Sequence, residues 1–343
     1  MNSITIKDIA RICGVGVSTV SRAINNHPDI NKETKDYILS VIEEYNYIPN
    51  NSARNLKRIE TNAIAVLVKG ITNPFFTDMI KIMEQEIEKR KYSLVLHHVE
   101  FNENEIDVAL ELIKEKRLRG IVFLGGHFSH SEDKLKKIPV PFVLSTIGGI
   151  VDENNRDGYS SVSVNDIHES KKIVDYLLDQ GHKKIAIICA DAEDESISSL
   201  RLEGYYQALR NHNIEPDESW VFRMQREFEE YSIENGYNVA LDILKSNEEF
   251  TALYAISDML AMGACKALID HGKKVPDDYS IVGFDGIKLG QYYNPSITTL
   301  VQPVEKIASE TIRLLFEVFE NDKKHKHLTF EGILAIREST KVL

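Results

Sequence analysis

The chain has 343 residues, with 53 Asp and Glu against 41 Lys and Arg, a formal net charge of −12. This composition excludes a disordered chain or a disulfide scaffold, and the length allows two or three domains. No apolar run is long enough to cross a bilayer, no basic leader with an apolar core is visible, and Cys13, Cys189 and Cys265 form no C-x-x-C pair. Free thiols, a cytoplasmic location and no membrane partner are therefore expected.

The first sixty residues read as helices only, and they hold eight basic side chains against seven acidic ones, so the acidity lies almost wholly in the rest. Such an asymmetry permits a polyanion contact at this end of the chain. Thr5 followed by Asp8 forms a capping box, and Ile6, Ile9, Ala10 and Cys13 then share one helical face. Gly14 stops that helix. Residues 17–25 read as a second, short helix with Val20, Ala23 and Ile24 inward. Asn31 caps a third, whose apolar face is Tyr37, Ile38, Val41, Ile42 and Tyr45. Pro49 closes the unit, and the polar stretch NNSARNLKRIE that follows is too short to be helical alone in water.

From residue 63 short apolar strands alternate with helical patterns. The strands are AIAVLV (63–68), SLVLHHV (93–99), GIVFLGG (120–126), PFVL (141–144), SVSV (161–164), KIAIICA (184–190), ALYAIS (252–257) and SIVGFDG (280–286), and a last helix lies near 304–321. Near-continuous apolar strands between helices predict parallel sheets covered on both faces. The fold class expected is an α/β core of two parallel-sheet lobes preceded by an all-α domain. Lobe 1 is assigned to about 62–160 plus 292–322 and lobe 2 to about 161–291 plus 323–343. Ligands in such sheets bind beyond the carboxyl ends of the strands, so the cleft between the lobes is the expected pocket.

The stretch IKDIARICGVGVSTVSRAIN (6–25) has helix-turn-helix spacing. Ala10 allows close crossing of the helices, Gly14 supplies the turn, and Val20 returns to the shared core. Val17, Ser18 and Thr19 then open the helix that meets base edges in the major groove. Arg22, a turn later, can reach a guanine or a phosphate.

These residues, with YNYIPNNSARNLKR, ITNPFF (71–76), LRLEGYYQAL (200–209), ISDMLAMGA (256–264), SIVGFDG (280–286) and NPSITTLVQP (294–303), resemble the lactose/galactose-repressor (LacI–GalR) family along essentially the whole chain. The resemblance implies a headpiece (1–48), a hinge helix (49–61) and a two-lobed core (62–343) of the periplasmic-binding-protein type. It implies a homodimer on palindromic double-stranded operator DNA, with the acidic core held away from the phosphates. Further DNA contacts are implied at Thr5, Ser21 and Asn25, and in the hinge at Asn50, Ala53, Arg54 and Leu56, the last an apolar wedge that kinks the duplex. Gly16 departs from the family's Ser or Thr at the start of the recognition helix. It still caps acceptably, but a hydroxyl contact is lost.

In the cleft the resemblance implies Phe76 stacking on a ligand face, Arg201 as a fork of donors and Asp285 as an acceptor of hydroxyls. Ser257 and Asp258 occupy a position where relatives place Asn-Asp or Ser-Asp, and Phe228 is a candidate second aromatic wall. An aromatic platform with carboxylates and one Arg suits a saccharide. Ser145-Thr146-Ile147 is neutral where several sugar-binding relatives carry Asp, so Thr146 with His127 and His130 is expected to contribute instead. The two histidines lack a third ligand at fixed spacing, so no metal or other cofactor is expected. No Walker loop, G-x-S-x-G or H-E-x-x-H occurs, and an enzyme is not expected. A phosphorylated carrier protein or a purine as corepressor remains an alternative to the sugar, and a sugar-transport protein is disfavoured by residues 1–60.

Overall fold

The computed structural model describes residues 4–24, 26–45, 47, 62–100, 103–126, 132–147, 158–190, 196–246, 248–321 and 324–343. The chain divides into two units, Met1–Thr61 and Asn62–Leu343.

The first unit holds helices α1 (Ile6–Cys13), α2 (Val17–Ile24) and α3 (Lys32–Glu44). The capping box forms: Thr5 Oγ1 accepts from the Asp8 N–H (3.4 Å), and Asp8 Oδ2 accepts from the Thr5 N–H (3.1 Å). Gly14 adopts a left-handed φ of 67°, and the Val15 N–H donates to the Ala10 carbonyl (3.0 Å), which closes α1 in the manner of a Schellman turn. Ile9, Ala10, Val20, Ala23, Ile38, Val41 and Tyr47 form the core. The inward face of α3 is narrower than its sequence predicts, because Tyr37 is 53% and Tyr45 45% exposed. Ile38, Val41 and Ile42 already fill the contact at helical spacing. Tyr45 lies at the C-cap, and Tyr47, past the end of the helix, covers the core instead.

The second unit contains two six-stranded sheets. Its elements are, in order, β1 (Ala63–Lys69), α4 (Pro74–Lys89), β2 (Ser93–Val99), α5 (Glu105–Lys116), β3 (Gly120–Leu124), α6 (Glu132–Leu135), β4 (Phe142–Ser145), β5 (Ser160–Val164), α7 (Asp166–Asp179), β6 (Ile185–Cys189), α8 (Ile197–Asn211), β7 (Val221–Arg223), α9 (Ile233–Lys245), β8 (Ala252–Ala255), α10 (Asp258–Asp270), β9 (Ser280–Asp285), α11 (Lys288–Gln291), β10 (Thr298–Val301), α12 (Val304–Asn321), β11 (His327–Phe330) and β12 (Ile333–Ala335). The first sheet has the order β11-β5-β4-β3-β1-β2 and is parallel throughout. The second, β12-β10-β9-β8-β6-β7, is parallel except for β12, which runs antiparallel to β10. Central strands such as β1 and β9 are buried along their whole length, as their unbroken apolar sequences require.

The lobe assignments need correction. Residues 161–164 of β5 belong to the first lobe, since β5 pairs with β4. Residues 298–301 belong to the second, because β10 pairs with β9, whereas α12 packs on β3, β4, β5 and α4 of the first. Strand β11 returns to the first sheet beside β5, and only β12 and the tail after it lie with the second. The chain therefore crosses between lobes after β5, after β10 and after β11. Apolar continuity marks a strand as buried but does not say which sheet it joins, so the exchange of edge strands left no trace in the pattern.

Candidate effector cleft and DNA-reading helix

The cleft lies at the carboxyl ends of strands from both lobes and encloses about 700 Å³ of space, its open mouth included. The first lobe contributes Lys69 at the end of β1 and Gly70 after it, Phe75 and Phe76 at the start of α4, Gly125 and Gly126 after β3, and Thr146 after β4. Asn73 caps α4 through Oδ1, which accepts from the Phe75 N–H (3.1 Å). This cap, with Pro74 at the first helical position, fixes where the two phenylalanines enter the wall. Phe76 is 8% exposed. Its ring rests on Gly125, where a Cβ would come within 2.9 Å of it and within 2.7 Å of the Lys69 carbonyl.

The second lobe contributes Arg201 from α8, Asp285 from the end of β9, Gln302, and Glu230 and Tyr231 from the segment between β7 and α9. Arg201 is 2% exposed and held on several sides. Its Nε donates to Asp166 Oδ1 (2.9 Å), Nη1 donates to the Ile256 carbonyl (2.5 Å), and the guanidinium lies 3.6 Å from the centre of the Phe284 ring. Asp285 Oδ1 is 3.7 Å from Nη1 and also accepts from Gln302 Nε2 (2.9 Å). Burial pushes the carboxyl of Asp285 up, and the nearby guanidinium pulls it back down. Burial likewise raises Asp166 to about 6 against the pull of Arg201. The pair Arg201–Asp285 thus offers a rigid donor and an acceptor at one wall, in a setting where hydrogen bonds are strong.

Polar contacts join the lobes across the cleft. Asn73 Nδ2 donates to Asp285 Oδ2 (3.1 Å), Thr72 Oγ1 donates to Glu229 Oε1 (2.7 Å), and Lys288 pairs with Asp78 (3.2 Å). Backbone strain gathers at the same place. Thr146, Tyr231 and Asp285 have φ of 64°, 56° and 105°, conformations unfavourable for side chains of these types, and all three line the cleft.

In the first unit α2 presents Val17 (42% exposed), Ser18 and Arg22 outward, with Thr19 and Ser21 half-buried and Val20 and Ala23 in the core. Ser18, Ser21 and Arg22 fall at helical spacing on one face, the arrangement a groove-reading helix needs. Thr5 is committed to capping α1: its hydroxyl donates to Asp8 Oδ2 (2.6 Å).

Residues 5–50 match the family described as bacterial regulatory proteins, lacI family, and residues 174–340 match a periplasmic binding protein-like domain. The chain is 42% identical over 336 residues to the HTH-type transcriptional regulator MalR of Clostridium butyricum, covering 97% of this chain and 98% of that one. The lac repressor dimer bound to operator and the anti-inducer ONPF superposes with a TM-score of 0.74 at 21% identity, covering 99% of this chain and 100% of that one. A LacI family transcriptional regulator from Enterococcus faecium with bound ribose gives 0.69 at 26% identity, covering 82% and 99%. The chain belongs to the lacI family. It is a DNA-binding transcription regulator, as the expected fold and function class require.

Within this lacI-family chain the expected cleft residues separate into two groups. Phe76, Thr146, Arg201 and Asp285 line the cleft together. Ser257, Asp258 and Phe228 do not line it. Ser257 caps α10, its Oγ accepting from the Leu260 N–H (3.3 Å), and the fully buried Asp258 accepts from the Ile287 N–H (2.8 Å). Burial first, and the Asp285 charge second, raise Asp258 to about 8, which makes it a neutral structural acid. Tyr231 lines the cleft in the segment where Phe228 was expected to; it has a positive φ, and its N–H donates to Met224 Sδ (3.2 Å). Thr146 is spent partly on structure: its Oγ1 accepts from the Gly125 N–H (3.3 Å). His127, His130, Asn25, Asn50, Ala53, Arg54 and Leu56 lie outside the described residues.

Lys69, Asn73, Glu230, Tyr231 and Gln302 line the cleft without having been expected. Two had a visible signal. Asn before Pro-Phe-Phe is a helix cap next to a predicted stacking residue, and Gln302 sits in the TTLVQP run that follows a strand. Lys69 had none, since a lysine ending a strand reads as solvated.

Proposed function

We propose that this regulator is a cytoplasmic, non-enzymatic repressor that binds a palindromic operator as a homodimer, and that a saccharide in the cleft sets its operator affinity. The observation that carries the ligand assignment is the opposition of Phe76 on one lobe to Arg201 and Asp285 on the other. An aromatic ring matches the apolar face of a sugar, while the pair across the cleft matches its hydroxyls as donor and acceptor. Because these groups sit on different lobes, a bound sugar favours one lobe angle, and only such differential affinity can shift DNA binding. On the DNA side the reading rests on the outward face of α2, and Arg22 is assigned to base or phosphate contact. The hinge residues Asn50, Ala53, Arg54 and Leu56 are assigned to the minor groove on the family resemblance.

The test uses the full-length protein. Selection from a random duplex pool should enrich an inverted repeat, and titration calorimetry should then show that a mono- or disaccharide binds and changes affinity for that repeat. Enrichment of no repeat overturns the regulator's dimeric operator. Binding of a purine with no response to any sugar overturns the saccharide and leaves the repressor.

A further inference from the structure

Asp166 opens α7 and does not line the cleft, yet it holds a side chain that does. It is 2% exposed, and its Oδ1 accepts from Arg201 Nε (2.9 Å), while Oδ2 is buried with no hydrogen-bond partner. Burying a carboxylate with one oxygen unsatisfied is expensive, and an asparagine of the same shape would accept the same bond without a charge. The charge therefore gains nothing for packing. Nor does Arg201 need it as a sole counter-charge, since Asp285 Oδ1 already stands 3.7 Å from Nη1. The guanidinium faces two carboxylates. Arg201 lines the cleft, and its Nη2 has no acceptor among the described residues, which leaves the N–H groups of that nitrogen for a ligand.

We propose that Asp166 is a positioning residue that sets what Arg201 selects: it fixes the guanidinium and cancels its charge, so that the cleft prefers an uncharged sugar to an acidic one. The assignment rests on the saccharide reading and deepens it. With Asp166 balancing Arg201, the charge of Asp285 remains for ligand hydroxyls. A ligand carboxylate brought to Nη2 meets a cation already balanced and a second carboxylate close by, and is disfavoured. Burial raises Asp166 to about 6 against the pull of Arg201, and the Asp285 charge adds to the rise. Protonation at the unpartnered Oδ2 removes one negative charge and leaves the bond from Nε to Oδ1 in place. The charged and titratable groups facing Asp166 are Arg201 on α8, Asp285 at the end of β9 and Tyr254 on β8. Asp258 on α10, beyond Asp285, is raised to about 8 and stays neutral where Asp166 titrates. On α7 itself Glu169 is committed to Lys172 (2.7 Å) and the Gly332 N–H (3.1 Å), and His168 is exposed.

The experiment measures binding by calorimetry on the full-length protein. D-glucose, D-galactose, maltose and cellobiose are screened first. The tightest binder is then compared with its uronates, in which a hydroxymethyl group is replaced by a carboxylate that stays ionised at every pH used. At about pH 7 wild type should prefer the parent sugar to each uronate by about tenfold or more. Asp166→Asn keeps the acceptor for Nε. It should narrow that preference by about tenfold for at least one uronate, the scale of one unit charge acting on another several ångströms away inside a protein, and should change the parent by less. In wild type the same narrowing should appear as pH falls from about 7 to about 5, and Asp166→Asn should not show it. Equal weakening of parent and uronate by Asp166→Asn makes the residue merely structural and overturns the proposal while leaving the saccharide reading standing. A wild-type preference that is the same at both pH values, or that favours a uronate at the higher one, does likewise, and neither measurement needs the variant to fold. Failure of every sugar to bind wild type overturns both.

Discussion

Asp258 offers a test in which sequence position and structural environment predict opposite results. By motif it belongs to the ligand site, whereas the fold buries it completely and gives its Oδ2 to the Ile287 N–H (2.8 Å). Its carboxyl is raised from 3.8 to about 8, mainly by burial and secondarily by Asp285. Between those values the native state holds a proton that the unfolded chain has released. Stability is then fully present at low pH and falls as pH rises, by about 1.4 kcal/mol per pH unit for one such group. Asp258→Asn keeps the shape and the acceptor and has no proton to retain. The variant should therefore gain on wild type by about 3 kcal/mol between about pH 5 and about pH 7.5. In a unit of this size that corresponds to a relative rise in melting temperature of about 5 °C. Melting followed by circular dichroism across that range reads the difference directly. Calorimetry should also find the saccharide affinity of Asp258→Asn close to wild type. Parallel melting profiles, or loss of sugar binding in this variant alone, would refute the assignment of Asp258 as a neutral structural acid.

Other consequences follow from the same geometry. Phe76→Leu keeps most of the buried volume but removes the stacking face, so saccharide affinity should fall by about 1 kcal/mol or more in calorimetry, with the operator complex of the free protein unchanged. Tyr231→Ala should weaken the sugar, whereas Phe228→Ala should not, and a reversed pattern would restore Phe228 as the second wall. Asn73→Ser keeps an N-cap for α4 while removing the donor to Asp285. Its melting temperature should drop by the equivalent of about 1–3 kcal/mol, and no drop would mean that the link between lobes is not a stabilising contact. At Gly16 a Cβ would meet nothing closer than Ser18 Oγ at 3.5 Å, so Gly16→Ser is free of clash. It should stabilise the headpiece by a few tenths of a kcal/mol and tighten operator binding in a gel-shift titration.

The sequence was legible where one residue determines its own surroundings. Thr5 and Asp8 specify a capping box within four residues, Gly14 specifies a left-handed turn, and AIAVLV, short and rich in β-branched residues, reads as a strand buried on both faces. Phe76, Arg201 and Asp285 were legible through motifs that lie next to such elements. What failed were statements that depend on a distant partner. Nothing in SVSV or TTLV distinguishes one sheet from the other, because the pairing of β5 with β4 and of β10 with β9 is a property of the neighbours. Phe228 and Tyr231 are three residues apart in one polar loop, and nothing in that stretch says which of them lines the cleft. Lys69 shows the same limit: its burial depends on Glu105, thirty-six positions away, and Gly126 leaves room for that carboxylate.

The proposed function also accounts for how one cleft can serve as a switch. In the second lobe Arg201 is pinned by Asp166, the Ile256 carbonyl and the Phe284 ring, so its guanidinium cannot follow a ligand that moves. In the first lobe Phe76 is set by the Asn73 cap and backed by Gly125. With Arg201 and Phe76 both held in place, the angle between the lobes is the variable on which the proposed function draws. Among the polar contacts that hold that angle are Asn73 to Asp285, Thr72 to Glu229 and Lys288 to Asp78. The last of these is exposed and contributes little. A saccharide that draws on Asp285 competes with Asn73 for the same carboxylate, so binding and the lobe link are coupled at one residue. On this reading, side chains already held in place leave more of a ligand's binding energy to shift the lobe equilibrium, because little of it is spent on ordering them.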